Sequence, residues 1–352
     1  MRDGPLVSII ISNYNYSRFL RSAIDSALAQ TYSPVEVIVV DDGSEDNSRE
    51  VIESYADRVK MRFQANGGQA SAFNAGFAIS KGQIVNFLDA DDALLPDAIA
   101  TEVSAWQPGV AKLQFGLECM DAMGRRLDVC WPTVRMSASE ASARLRKGWV
   151  LSSPPTSGNA FSRRTLTHIL PMPEREWRIA ADTYLLALSP FLGEIITLDT
   201  TLGLYRLHDL NNFLSSESDL SKVRRMLALD LATYDALRRS RTGERFPSAN
   251  DWLMESPGHI SSRLQSLRLD PKRHPFQEDR RGVLLMRGIA ACMKSPLYTR
   301  KARAIRTGWL SLLALAPSKI VRVALRQRSK VSRASRLGML APKRARLARN
   351  FG

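Results

Sequence analysis

Short apolar runs alternate with helix-spaced segments through the first hundred residues, and that alternation leaves few folds open to the chain. Val7 to Ile11, Val35 to Val40 and Ile84 to Leu88 are apolar runs of strand length, with a shorter one at Val59 to Phe63. Residues 17–29, 46–56 and 69–79 read as the intervening helices. The first places Phe19, Leu20, Ala23, Ile24, Ala27 and Leu28 at helical spacing. This order predicts an α/β fold, a mostly parallel sheet with helices on its faces. In such sheets ligands bind beyond the carboxyl ends of the strands.

Carboxylates stand at that rim. Asp41-Asp42 ends the second strand, and Asp89-Ala90-Asp91-Asp92 ends the fourth. Like charges this close repel, so they serve either as helix caps or as ligands for a hard divalent cation. One cluster alone reads equally well as a cap. Two clusters meeting at one rim favour the cation. Leu94-Leu95-Pro96 then reads as a helix start with proline in its first turn. Asn66-Gly67-Gly68 opens the third helix and could cradle an anion through backbone N–H groups. It matches neither the Walker loop nor the dinucleotide glycine pattern.

The pattern changes from Ala111. Lys112 to Glu118 and Arg126 to Cys130 read as paired strands, and 152–159 as a loop rich in proline, serine and glycine. A helix from Ala180 to Ser189 carries Asp182 near its start. Two strand-like pieces, Glu194 to Leu198 and Leu202 to Leu207, lead to His208. Beyond Ser215 the chain reads as helical, with Leu220, Val223, Leu227, Leu231 and Tyr234 on one face and a polar linker at 270–275. After Pro317 an amphipathic helix is expected. It has Ile320, Val321, Ala324 and Leu325 on one side and Lys319, Arg322, Arg326 and Lys330 on the other. The implied domains are 1–212, 213–300 and 301–352.

Composition narrows the setting. Three cysteines without metal-ligand spacing and four scattered histidines favour a reducing cytoplasm over a disulfide framework or a histidine-rich zinc site. The longest apolar run, Trp309 to Ala316, is far short of a membrane span, so a cytoplasmic protein with no obvious export route is expected. The net charge of +15 is concentrated at the end. Residues 301–352 hold 14 Lys and Arg and no Asp or Glu, so the first 300 carry only +1. Each such cation near an anionic leaflet contributes roughly 1 kcal/mol, which makes a membrane surface the expected partner of the tail. A solvated or disordered tail is the alternative. Nucleic acid is not expected, because the tail has almost no aromatic side chains to stack on bases.

The first 212 or so positions resemble glycosyltransferase family 2, of GT-A fold. The likeness rests on an ordered series: Val7 to Asn15, Ser26 to Tyr32, Val39 to Ser44, Asn66 to Gln69 with Asn74-Ala75-Gly76, and Phe87 to Asp92. Tyr205-Arg206-Leu207-His208 closes it and is similar to the family's late Tyr-Arg-x-His. The resemblance implies a nucleotide-sugar donor, UDP- or dTDP-linked, and a glycan or lipid-linked acceptor. It implies Asp91 and His208 as ligands of Mn or Mg, with Asp89 acting through water. Ser12, Tyr14, Asp42 and Gln69 would line the nucleotide site, where Tyr14 stacks on the base and Asp42 accepts the pyrimidine N3–H. Gly158 would lie under the donor sugar. Asp182 would be the general base, with Glu176 as its substitute, and transfer would invert the anomeric centre.

Two positions depart from the family. Ala181 stands where a glutamate precedes the catalytic aspartate, and Phe73 where many relatives have arginine. These leave open an inactive GT-A scaffold held at the membrane. A sugar-nucleotide nucleotidyltransferase is disfavoured, because Ser12-Asn13-Tyr14-Asn15-Tyr16 stands where its Gly- and Arg-rich phosphate loop would be.

Overall fold

The computed structural model describes residues 4–131, 133–149, 151, 153–208, 211, 220–240, 245–295, 298–325, 327 and 341–342. Its contacts divide the chain into two compact units. One comprises residues 1–141, 152–208 and 340–352, and the other residues 142–151 and 209–339.

The first unit is built on β1 (Val7–Asn13), β2 (Val35–Asp41), β3 (Lys60–Phe63) and β4 (Ile84–Asp89), all parallel in the order β4-β1-β2-β3. They are connected by α1 (Ser17–Leu28), α2 (Ser48–Glu53) and α3 (Gln69–Ile79). Alternate side chains of β1 serve opposite faces, as a pleated strand requires. Ile9 and Ile11 share a core with Leu20, Ala23, Ile24 and Ala27 of α1. Ile10 points the other way, against α3, where Gly76 lies so close that an added Cβ would meet Ile10 Cγ2 at 2.4 Å. Burial of each such aliphatic side chain stabilises by about 1.5–3 kcal/mol. Both faces are covered, so the strands have no polar alternation.

Beyond β4 come β5 (Ala93–Leu94), α4 (Ala98–Ala105), β6 (Val110–Met120), β7 (Arg126–Trp131) and α5 (Ala138–Arg146). Then follow β8 (Asn159–Ser162), α6 (Arg163–Ile169), α7 (Ala181–Leu188) and β9 (Glu194–Arg206). Here β4, β8, β6 and β7 pair antiparallel in turn, while β9 runs parallel to β6 and antiparallel to β5. The result is the expected α/β architecture, a mixed sheet with a parallel core and flanking helices.

Several details differ from expectation. Ala93–Leu94 is a short strand on β9, and the helix begins only at Ala98, after Pro96. The pieces at 194–198 and 202–207 are one strand. Polar Asp199 to Thr201 lie where the register against β6 shifts between Gln114 and Gly116, so the backbone stays extended while they stand out.

The second unit contains α8 (Leu220–Arg239), α9 (Ala249–Leu253), α10 (Pro257–Leu269), α11 (Arg281–Lys294), α12 (Arg300–Leu315) and a helical stretch at 318–325. Ile260, Leu264, Leu284, Ala291, Cys292, Leu310, Leu313, Val321 and Leu325 form its core. The expected linker at 270–275 is built into this unit. His274 is buried on Asp279 at 2.9 Å, and Asp270 pairs with Arg224. The expected apolar side of 318–325 is split, with Val321 and Leu325 buried and Ile320 exposed. Arg326 and Lys330 fall outside the described residues. Among the described residues no helix is long and apolar enough to cross a membrane.

Candidate active site

Strand register gathers the rim. Asp41 lies beside Asn13, and Asp89 beside Ser12, across the carboxyl ends of β2, β1 and β4. Asn13 Nδ2 donates to Asp41 Oδ1 at 2.8 Å, tying the first two strand ends. Asp42, one residue on, is almost wholly buried. It accepts hydrogen bonds from Gly67 N (2.9 Å), Gly68 N (2.6 Å) and Gln64 Nε2 (2.8 Å). A carboxylate has about four acceptor positions, and here two hold the Gly-Gly turn and a third takes the Gln64 amide. That turn needs glycine, since Gly68 has φ +90° and an added Cβ would meet Arg178 O at 2.6 Å. Tyr14 is 44 % exposed just after β1, and Ser12 is half-buried.

The fourth strand delivers the acidic cluster into a frame of neutral donors. Asp92 is fully buried and accepts from Ser157 Oγ (2.7 Å) and Arg206 N (2.9 Å). Arg206 Nε also donates to the Asp91 carbonyl at 2.7 Å, clamping the end of β9 onto the loop after β4. That clamp brings His208 Nε2 to 2.8 Å from Asp91 Oδ2, with the imidazole side chain wholly buried beside the Tyr16 and Phe19 rings. Asp91 and His208, 117 residues apart, therefore form one pair. Among the described residues no group of three or more His, Cys, Asp or Glu is arranged to hold a metal. A cation on this pair would draw its other ligands from elsewhere.

Gln69, the first residue of α3, joins two parts of the rim. Its Nε2 donates to Asp89 Oδ1 at 3.2 Å, and its Oε1 accepts from Ala181 N at 3.0 Å at the start of α7. Asp182 follows in the first turn of α7. The Thr156 hydroxyl lies within the influence of both Asp89 and Asp182, and its one proton can serve only one of them at a time. Entry to α7 passes through Ala180 at φ +63°, a left-handed conformation that costs an L-residue roughly 1–2 kcal/mol. Backbone strain of this kind clusters where geometry is held for a purpose. Gly158 ends the 3₁₀ turn Thr156–Gly158, packed so tightly that a Cβ would lie 2.6 Å from Pro154 Cβ. Glu176, the substitute base, is exposed in the segment before Ala180.

Electrostatics follow from this crowding. Burial raises the Asp89 carboxyl to about 8, and repulsion from Asp91 and Asp182 adds to it. Burial also raises Asp182, opposed by hydrogen bonds from Thr183 and Thr156 and by the charge of Lys112. Lys112 was not anticipated. It is 3 % exposed on β6 and donates to Gln114 Oε1 (2.8 Å), Ser153 Oγ (3.0 Å) and Asn159 Oδ1 (3.1 Å), with burial lowering the ammonium to about 7. Its bonds stitch both ends of the 153–159 segment to the sheet. The signal in the sequence was polar Lys112 and Gln114 alternating with Ala111, Leu113 and Phe115 inside a buried strand. Phe73, the other departure, is fully buried and stacks on Phe87 at 4.2 Å between centroids, so its position is a core position here.

A parallel-cored sheet with this carboxylate rim, continued by an antiparallel half, has the GT-A fold. It superposes on S. aureus TarS 1–349, solved in complex with UDP-GlcNAc, with a TM-score of 0.56 and 14 % identity over 92 % of this chain and 91 % of that one. The family profile described as Glycosyl transferase family 2 matches residues 8–113. An uncharacterised glycosyltransferase of Nostoc sp. is 43 % identical over 222 residues, 61 % of this chain and 69 % of that protein. Another, of Rickettsia prowazekii, is 45 % identical over 101 residues, 29 % of this chain and 32 % of its own length. The chain belongs to glycosyltransferase family 2 and is a glycosyltransferase.

Proposed function

We propose that the enzyme transfers a sugar from a UDP- or dTDP-sugar to a hydroxyl of a glycan or lipid-linked acceptor, with inversion. In this reading Asp182 takes the proton of the acceptor hydroxyl as its oxygen attacks the anomeric carbon. The bond from that carbon to the phosphate oxygen breaks, and its electron pair leaves with the diphosphate. Tyr14 stacks on the base, Ser12 and Gln69 line the nucleotide, and Gly158 leaves room beneath the sugar. Asp42 accepts the pyrimidine N3–H at the one acceptor position that Gln64 and the Gly-Gly turn do not use. Mn or Mg, held by the carboxylate of Asp91 and the imidazole of His208 with Asp89 behind them, would neutralise the charge gathering on the diphosphate. The donor set fits, since the pair offers one hard oxygen and one nitrogen and leaves the remaining positions to phosphate oxygens. The basic C-terminal region holds the enzyme at the cytoplasmic face of an anionic membrane.

The observation that carries this reading is the Gln69 bridge. One side chain fixes Asp89, where the diphosphate would sit, relative to the helix that carries Asp182. The test is a panel of nucleotide-sugars in a thermal-shift assay with Mn and with EDTA, followed by measurement of nucleotide release. A UDP- or dTDP-sugar should raise the Tm with Mn, by mass action, and lose that effect with EDTA. A flat response to every donor, without UDP or dTDP release, overturns the proposal.

A further inference from the structure

Helix α11 is apolar on two opposite sides. Leu284, Gly288, Ala291 and Cys292 face the core of the helical unit. Val283, Met286, Ala290 and Met293, spaced by three and four residues, form a second stripe exposed to solvent, with Met286 at 74 %. The next helix repeats the arrangement. In α12, Leu310, Leu313 and Ala314 are buried, while Ile305 and Leu315 are exposed, Leu315 at 72 %. Ile320 and Val323 in 318–325 are exposed as well. A surface helix ordinarily keeps its outer face polar. Among the described residues, seven of the twelve exposed large hydrophobics fall between 280 and 325, so this is not ordinary scatter.

Charge decides what covers these stripes. Residues 280–325 contain ten Lys and Arg and no Asp or Glu. Arg287 and Lys294 border the α11 stripe, and Lys301 lies one turn before Ile305 on α12, all exposed. Among the described residues two acids reach this edge, Asp251 of α9 at 3.4 Å from Arg287 and Glu255, just after α9, at 3.3 Å from Lys294, through exposed pairs worth little. A second copy of this chain would set one predominantly basic face against another, which like-charge repulsion disfavours. An anionic lipid surface accepts both features, since acyl chains take the apolar stripe and headgroups take the flanking cations.

We infer that α11, α12 and the 318–325 helix form the membrane-docking surface, with Val283, Met286, Met293, Ile305 and Leu315 entering the headgroup region. This placement rests on the reading of a membrane-held enzyme and extends the contact from the basic 301–352 region back to α11.

The test is flotation of the full chain with vesicles of phosphatidylcholine alone and of phosphatidylcholine with phosphatidylglycerol. The parent should float with the anionic vesicles only. The Met286→Glu/Met293→Glu variant should lose about tenfold or more in partitioning, the effect of putting charge in the inserted stripe, with unchanged Tm and nucleotide release. Should the glutamates lower the Tm, Met286→Gln/Met293→Gln repeats the test with a smaller loss expected. A variant that floats like the parent overturns this docking surface and leaves the membrane reading to the final residues. A parent that floats with neither vesicle overturns both. A parent that ignores vesicles but dimerises in sedimentation, with the dimer lost in the variant, assigns the stripes to a second copy and also overturns the proposal.

Discussion

The two units treat buried charge in opposite ways. In the helical unit Asp279 is closed on itself. Arg263 grips both of its oxygens, His274 adds a third contact at 2.9 Å, and the Phe276 ring covers the guanidinium at 3.7 Å. At the rim of the sheet unit, Asp89 and Asp92 are held by hydroxyls, an amide and backbone N–H groups, none of which carries a charge. The first arrangement is complete as it stands. The second leaves like charges to repel, offset in part by the Arg206 guanidinium, and a bound cation or protons would complete the offset. A buried network that satisfies itself is structural, whereas one that leaves its charge unneutralised is poised for a ligand.

Substitutions can break that contrast. Asp182→Asn has the largest expected effect, a fall in kcat of about 10²- to 10⁴-fold with nucleotide affinity kept, as loss of a general base predicts. Because burial raises Asp182, the parent should also lose activity on acidification at a pH above the ordinary carboxylate range. A steady-state pH profile checks both. Asp279→Ala should leave the Arg263 charge buried without its partner and cost about 3–5 kcal/mol in urea unfolding, without moving nucleotide affinity. Lys112→Met should cost about 1–3 kcal/mol by stranding the Gln114 and Asn159 acceptors. It should also raise the donor KM more than it lowers kcat, since the 153–159 segment loses its tether.

The smallest effect belongs to Glu102, buried in α4 and, among the described residues, bonded only to Asn86 Nδ2 at 3.0 Å. Burial raises its carboxyl from 4.5 to about 8, so the native state keeps a proton that the unfolded chain releases. Its contribution to stability is full below about 4.5 and disappears as pH rises through about 8. Glu102→Gln should flatten the fall of Tm across that window by a few degrees relative to the parent. Identical slopes would show that the proton is not there.

The parallel core and its rim were legible because strands covered on both faces leave continuous apolar runs, and acidic pairs mark where those runs end. What escaped was set by partners distant in sequence. Two residues of β5 have no periodicity to read, and their strand exists only because β9 lies alongside. Gln69 gains its bridging role from Asp89 and Ala181, which lie 20 and 112 residues away. The 270–275 segment looks like a polar linker until Asp279 and Arg224 are brought to it. Asp42 reads as an open acceptor, yet the fold spends two of its acceptor positions on the adjoining turn and a third on Gln64. The second apolar stripe of α11 escaped because the spacing of apolar residues does not say which of two faces another helix covers.

The central claim is that the acidic rim receives a nucleotide diphosphate through a cation. A crystal structure with UDP and Mn, with anomalous data at the manganese edge, tests it most directly. The account predicts one strong peak joining Asp91 and His208 to the diphosphate, with uracil against Tyr14. A peak remote from that pair, or UDP bound away from the ends of β1, β2 and β4, would contradict it.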